Sequence, residues 1–185
     1  QNGGASDVYR IDTALDTSAV FDTAPLFASS VAISSAGKMY VGDQGHGGND
    51  WLYIYPDHTT TVGSAPVVLS PWIAGRLFIS PNGSRLFATP GGASDSKVIN
   101  GTTDAVLETV TGGGSWSFFS DNARVILSVS SSSYVVHNYT AATLSTVETL
   151  SVTAPASIGG VAITSGNILF LPVSGTNTIK VYQYR

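Results

Sequence analysis

Apolar residues in this chain come in short runs broken by Gly, Asn, Asp, Ser and Pro. Val31-Ala32-Ile33-Ser34, a turn at Ser35-Ala36-Gly37, and Lys38-Met39-Tyr40-Val41 read as strand, tight turn and strand. The figure returns as Leu77-Phe78-Ile79-Ser80, Pro81-Asn82-Gly83 and Ser84-Arg85-Leu86-Phe87-Ala88-Thr89. A third copy is Phe118-Phe119-Ser120, Asp121-Asn122-Ala123 and Arg124-Val125-Ile126-Leu127, and a fourth is Val161-Ala162-Ile163-Thr164, Ser165-Gly166-Asn167 and Ile168-Leu169-Phe170-Leu171. No stretch sustains the 3.6-residue period of an amphipathic helix. The pattern predicts an all-β chain.

The hairpins are periodic. Ser34, Ser80, Ser120 and Thr164 mark one phase, with steps of about 40 to 46 residues, the length of a four-stranded propeller blade. A second half-unit follows each of the first three. Leu52-Tyr53-Ile54-Tyr55 precedes Thr59-Thr60-Thr61-Val62, Lys97-Val98-Ile99 precedes Ala105-Val106-Leu107-Glu108-Thr109-Val110, and Tyr134-Val135-Val136-His137 precedes Leu144-Ser145-Thr146-Val147-Glu148-Thr149-Leu150. The N-terminal stretch carries this half-unit alone, as Val8-Tyr9-Arg10-Ile11-Asp12 and Ser18-Ala19-Val20-Phe21, and the C-terminal stretch ends on its first strand, Ile179-Lys180-Val181-Tyr182.

The run from Ile79 to Thr89, followed by Lys97-Val98-Ile99-Asn100, resembles the YVTN surface-layer type of β-propeller repeat. In that family a hairpin of the form SPDG…LYVTN leads into a strand of the form VSVIDTATN, to which Val8-Tyr9-Arg10-Ile11-Asp12-Thr13-Ala14 is similar. The resemblance extends over nearly the whole chain and is loose within each copy. It implies blades and not a function, because propellers host enzymes, lectins and scaffolds alike.

The expected organisation is therefore one β-propeller-type domain over residues 1–185, with blades near 28–70, 74–111, 115–152 and 158–185 and a terminal half-blade near 6–25. The closure is open. An N-terminal strand completes the last blade to give a four-bladed ring, or the array is incomplete, either as a fragment of a longer propeller or as one that a neighbouring subunit completes. An unclosed blade leaves strand edges that invite pairing with a second copy.

Composition narrows the partners. Charged residues are only 11% of the chain, against roughly 25% in an average domain, so the polar surface comes from Ser, Thr, Asn and Gly. The net charge is −4, and the basic residues Arg10, Lys38, Arg76, Arg85, Lys97, Arg124, Lys180 and Arg185 are scattered. That distribution argues against nucleic acid, which demands clustered cations, and against a polybasic membrane patch. No apolar run reaches the length of a membrane span. There is no cysteine, which removes disulfides, thiolate metal sites and cysteine nucleophiles. A chain beginning at Gln1 has the look of a mature, processed product or of an excised fragment.

Candidate chemistry is thin. The loop from Gly42 to Asp50 is Gly-rich, and Asp43, Asn49 and Asp50 are candidate oxygen ligands for calcium; the alternative is a hairpin loop whose Gly and Asn serve positive φ. His46, His58 and His137 lack metal-ligand spacing and read as exposed loop or strand positions. No Gly-x-Ser-x-Gly elbow, Walker loop or dinucleotide fingerprint occurs, and Ser115 beside Trp116 reads as the start of an inner strand. Trp51, Trp72 and Trp116 are candidate sugar-stacking platforms, although they share no repeat phase and aromatic residues on strands mostly fill the space between blades. Three sequons, at Asn82, Asn100 and Asn138, fall at strand-connecting turns where a glycan is tolerated; Asn-Gly turn preference already explains the first two.

These observations favour an extracellular or cell-surface structural propeller that assembles with itself through its strand edges and carries glycans, with no catalytic constellation. A carbohydrate-binding propeller and a lactonase-like hydrolase are the alternatives.

Overall fold

A computed structural model describes residues 7–23, 25, 27–46, 49–57, 59–60, 64–69, 75–89, 95–111, 116–119, 121, 123–130, 133–141, 143–151, 161–173 and 178–184. Among them there are strands and turns and no helix. A two-stranded sheet, β1 (Val8–Asp12) and β2 (Thr17–Asp22), comes first. The first four-stranded sheet is β3 (Ala28–Ile33), β4 (Met39–His46), β5 (Asn49–Tyr55) and β6 (Ser64–Leu69). The second is β7 (Arg76–Ile79), β8 (Arg85–Thr89), β9 (Ser96–Asn100) and β10 (Val106–Val110), and the third is β11 (Trp116–Phe118), β12 (Arg124–Ser130), β13 (Ser133–Asn138) and β14 (Ser145–Ser151). A last, three-stranded sheet holds β15 (Ala162–Ile163), β16 (Ile168–Val173) and β17 (Thr178–Gln183). Every sheet is an antiparallel meander in chain order. No sheet pairs with another, so the array is not closed by hydrogen bonds among the described residues.

The inner strands β4, β5, β8 and β12 are apolar on both faces because both faces are covered. On β5, Leu52 and Ile54 join Tyr40, Leu77, Leu86 and Ile99 between the first and second sheets. The alternate residues Tyr53 and Tyr55 join Val8, Phe21, Met39 and Val41 against the two-stranded sheet. Phe87, Val98, Trp116, Val125, Leu127 and Tyr139 fill the space between the second and third sheets. Phe119, Ile126, Tyr134, Val136, Leu169 and Leu171 fill the next. The core is thus four layers between five sheets, each layer fed by the period-2 alternation of the strands beside it.

The hairpin turns follow their residues. Gly37, Gly83 and Asn167 hold positive φ (87°, 71° and 58°) at the same place, each donating its N–H to the residue that opens the turn: Ser34, Ser80 and Thr164. Only Gly, or Asn at small cost, sits there comfortably. In the third copy the matching closure runs from Phe119 N–H to the Arg124 carbonyl, so Phe119, not Ser120, holds the repeat phase. One strand also moves. The segment at Thr59 and Thr60 forms a turn, because Asp57 Oδ1 accepts both backbone N–H groups, at 2.7 and 2.8 Å. This local side-chain bonding outweighs the β preference of threonine. The fourth strand is Ser64–Leu69 instead, and it tolerates Pro66 because it is the outermost of its sheet.

Phe87 lies against Trp116, Phe118 and Tyr139 at ring-centroid distances of 4.5, 5.4 and 6.4 Å. Phe87→Ala is expected to lower unfolding free energy by about 3–5 kcal/mol, while Val68→Ala on an exposed outer strand stays within about 0.5 kcal/mol. Urea unfolding of the two variants measures the contrast.

Candidate functional site

Meander topology sorts the connections onto two ends. The connections β4–β5, β8–β9, β12–β13 and β16–β17, with those between successive sheets, lie at one end, here the loop end. The tight turns β3–β4, β7–β8, β11–β12 and β15–β16, with β1–β2, β5–β6, β9–β10 and β13–β14, lie at the other, the turn end.

At the loop end Asp43 is fully buried and accepts the Phe27 N–H at 2.9 Å, which ties down the chain ahead of β3 together with the bond from Gln44 N–H to the Phe27 carbonyl. Asp43 pairs across the ladder with Trp51 and shares its face with Tyr53 and Tyr55, toward the two-stranded sheet. Asp50 is buried too, opposite Leu69, on the face that carries Leu52 and Ile54. The pleat therefore sends the two carboxylates of the calcium expectation to opposite sides of the sheet, while Asn49 is exposed. Among the described residues no three His, Asp or Glu side chains gather for a metal. On Asp43's side, Tyr55 donates to Asp22 Oδ2 at 2.8 Å. Burial, with Asp43 and then Asp22 nearby, pushes the Tyr53 hydroxyl above its ordinary range. Asp22, Asp43, Tyr53 and Tyr55 form a carboxylate–tyrosine cluster.

The aromatic candidates are largely consumed by packing. Trp116 is 2% exposed against Phe87, and Trp51 is half-buried beside Tyr53 at 6.2 Å. Trp72 and His58 lie outside the described residues, as does Ser115. His46 closes β4 opposite Asn49. His137 departs from the expectation of an exposed residue. It is 8% exposed and faces the second sheet, 6.1 Å from the Trp116 ring. Neither of its nitrogens, nor Trp116 Nε1, has a hydrogen-bond partner among the described residues, and burial lowers its pKa.

All three sequon asparagines stand at the turn end and use Oδ1 as a turn acceptor. Asn82 receives Ser84 N–H and Oγ, Asn138 receives Thr140 N–H and Oγ1, and Asn100 receives Thr102 and Thr103 N–H. The backbone N–H two residues on closes each Asx turn, and in two of the three the sequon hydroxyl adds a second bond to the same oxygen.

The same end holds what single-sequence reading missed. Lys38, Arg85 and Arg124 look scattered in the sequence, but each follows the tight turn of its sheet and each reaches the next sheet. Lys38 Nζ meets Asp104 Oδ1 at 2.5 Å and the Gly101 carbonyl at 3.3 Å, with Tyr40 donating to the same carbonyl at 3.0 Å. Arg85 donates to the Ala141 carbonyl at 2.8 Å. Arg124 lies 4.9 Å over the Tyr184 ring and is held by Asp121. Aligning the chain on its turn residues was the available signal.

Solved structures share this fold. The chain aligns with the Dos1 propeller at TM-score 0.76 and 11% identity, covering 98% of this chain and 48% of that one. It aligns with a putative 6-phosphogluconolactonase from Bacteroides uniformis at TM-score 0.70 and 16% identity, covering 99% and 62%. A protein from Lactobacillus plantarum gives TM-score 0.70 and 16% identity over 96% and 58%. At such identities the likeness shows the fold, a β-propeller, and the chain spans about half to three-fifths of the length of these structures. No family model and no curated protein matches the sequence.

His137 generates a pH prediction. Its folded pKa is lowered by burial, so from about pH 6.5, the unfolded value, downward the unfolded chain binds a proton that the folded chain refuses. Stability is then lost as pH falls. His137→Phe is expected to flatten the fall in urea midpoint between about pH 7 and pH 5; an unchanged slope contradicts the assignment.

The Lys38–Asp104 contact is partly exposed. A double-mutant cycle with Lys38→Ala and Asp104→Ala is expected to return a coupling of about 0.5–1 kcal/mol, weakened by salt.

Proposed function

We propose that this chain belongs to a β-propeller that takes a small polar ligand at its loop end and hydrolyses it, with a sugar-derived lactone as the substrate class. The observation that carries this reading is the likeness to the putative 6-phosphogluconolactonase over 99% of the chain. The carboxylates Asp43 and Asp50 stand near that end, on strands rather than on free loops. The chemistry asks little of the protein. Water adds to the ring carbonyl, the acyl–oxygen bond breaks, the ring oxygen leaves as a hydroxyl, and the carboxylic acid formed releases its proton. A carboxylate that accepts the proton of the attacking water accelerates this, typically by about 10²–10⁴-fold.

A second reading is a cell-surface propeller acting through its faces, with a second copy and glycans as partners. It is favoured by the exposed apolar residues of the two terminal sheets, Tyr9, Ile11, Ile179 and Val181, and by the turn positions of the sequons, of which Asn82 is exposed and Asn100 and Asn138 are half-buried. Sugar stacking has less support, since Trp116 and Trp51 are engaged in packing.

Titrating acid release from gluconolactone and from its 6-phosphate separates the readings. Hydrolysis at least about tenfold above the spontaneous rate is expected. Spontaneous rates with both lactones, together with multimers or glycan-sized additions in native mass spectra, favour the surface reading and end the hydrolytic one.

A further inference from the structure

Five sheets in one array repeat the same positions, so the environment of a residue in one sheet shows what its counterpart in another was shaped to meet. Just after the residue that follows each tight turn, the ladder pairs Met39 with Tyr55, Leu86 with Ile99, Val125 with His137 and Leu169 with Tyr182. In every case this pair packs against the preceding sheet. The residue just before it, Lys38, Arg85, Arg124 or Ile168, points the other way. The three cations among these reach the following sheet. Ile168 closes the series as the first residue of β16, on the face turned away from the third sheet.

The β1–β2 turn repeats the β9–β10 turn. Asp12 Oδ1 accepts Ala14 and Leu15 N–H at 2.9 and 3.1 Å, as Asn100 Oδ1 accepts Thr102 and Thr103 N–H at 2.8 and 3.1 Å. Asp16 and Asp104 both hold left-handed φ, 50° and 61°. Asp12 pairs with Thr17 where Asn100 closes onto Ala105. In the β9–β10 turn, Asp104 and the Gly101 carbonyl receive Lys38 from the preceding sheet. Asp16 is exposed, and no partner stands against its carboxylate among the described residues. One position before each turn the contrast recurs: Ile99 is fully buried under the preceding sheet, while its counterpart Ile11 is 68% exposed, with Tyr9 beside it at 58%.

We infer that the face of β1–β2 carrying Ile11, Tyr9 and Asp16 is a docking surface for a further blade, from polypeptide outside these 185 residues, whose second strand begins with Lys or Arg. The apolar residues take the place under that blade that Ile99 has under the first sheet, and its cation enters the Asp12–Asp16 turn as Lys38 enters the β9–β10 turn. The last sheet of this chain is not that blade. It offers Ile168 where the cation belongs, so a second copy placed end to end leaves Asp16 unmatched. The shares of 48–62% of the longer propellers agree with further blades.

Installing the missing charge tests this on the whole chain. Self-association of the wild type, Ile168→Lys, Ile168→Lys/Asp16→Asn and Ile168→Lys/Ile11→Asp is followed by sedimentation velocity at low and high salt. Ile168→Lys is expected to associate end to end about two- to fivefold more tightly than the wild type, in line with one partly exposed ion pair. The gain is expected to vanish at high salt and in both double variants. Ile11 is exposed, so Ile11→Asp alone keeps the wild-type urea midpoint, which separates lost docking from lost folding. An Ile168→Lys variant that behaves as the wild type overturns the inference, as does a gain that survives Asp16→Asn. Wild-type association that Asp16→Asn abolishes does so as well, because it makes the second copy the natural occupant.

Discussion

Every strand in the middle of this molecule depends on being covered on both faces. Val41, Leu52, Phe87, Ile99, Val125, Ile126 and Leu127 are fully buried, yet neighbours along one strand bury themselves in different layers: Ile126 toward the last sheet, Val125 and Leu127 toward the second. A sheet of this composition cannot exist alone, because half its apolar area would face water at about 25 cal/mol per Å². Stacking is the solution, and the stack has a direction because the tight turns and the cations after them always point to the same neighbouring sheet.

That constraint explains what was legible. The strand runs, the left-handed glycines and the blade period follow from local chemistry, so Gly37, Gly83 and Asn167 announced their turns. The missed features are those in which a side chain answers to another part of the chain. His137 looked like a surface residue since nothing adjacent to it in sequence reveals that it lies under the second sheet beside Trp116. Thr59 and Thr60 looked like a strand because β-branched residues usually are one, and the competing acceptor, Asp57, is a single residue. Asp43 and Asp50 looked like partners across a short hairpin, but the difference of seven positions in sequence is an odd number, and with the ladder pairing of Asp43 and Trp51 it sends them to opposite faces.

The two ends of the stack are chemically unlike. The turn end is a continuous belt of capped turns and cations, in which Asn82, Asn100 and Asn138 close the turns internally while Lys38, Arg85 and Arg124 tie one sheet to the next. These groups hold the array together, and Asp16 alone of the carboxylates named at this end is left without a polar contact among the described residues. The carboxylates Asp43 and Asp50 lie toward the loop end, and there the connections vary from sheet to sheet. A repetitive end that supplies cohesion leaves the connections at the other end free to differ from sheet to sheet without cost to the stack.

Stacking also sets where the molecule is weakest. In an array of repeats, stability is close to a sum of each unit's own contribution and the interfaces it shares. The three four-stranded sheets each have two interfaces, and the terminal sheets each have one. The two-stranded sheet is the extreme, since it contributes only Val8 and Phe21 to a core layer and leaves Tyr9, Ile11 and Val20 in water. Its attachment rests on Phe21 against the edge of Tyr55 at 5.3 Å and on the Tyr55–Asp22 hydrogen bond. An isolated two-stranded hairpin is marginal in water, so this sheet is the part of the array whose folding depends most on its neighbours. Local opening is expected to start there and to leave the layer around Phe87 for last. The same residues that make it fragile make it the place where one more layer adds most, because a neighbour that covers Ile11 and Tyr9 turns an exposed terminal sheet into an interior one.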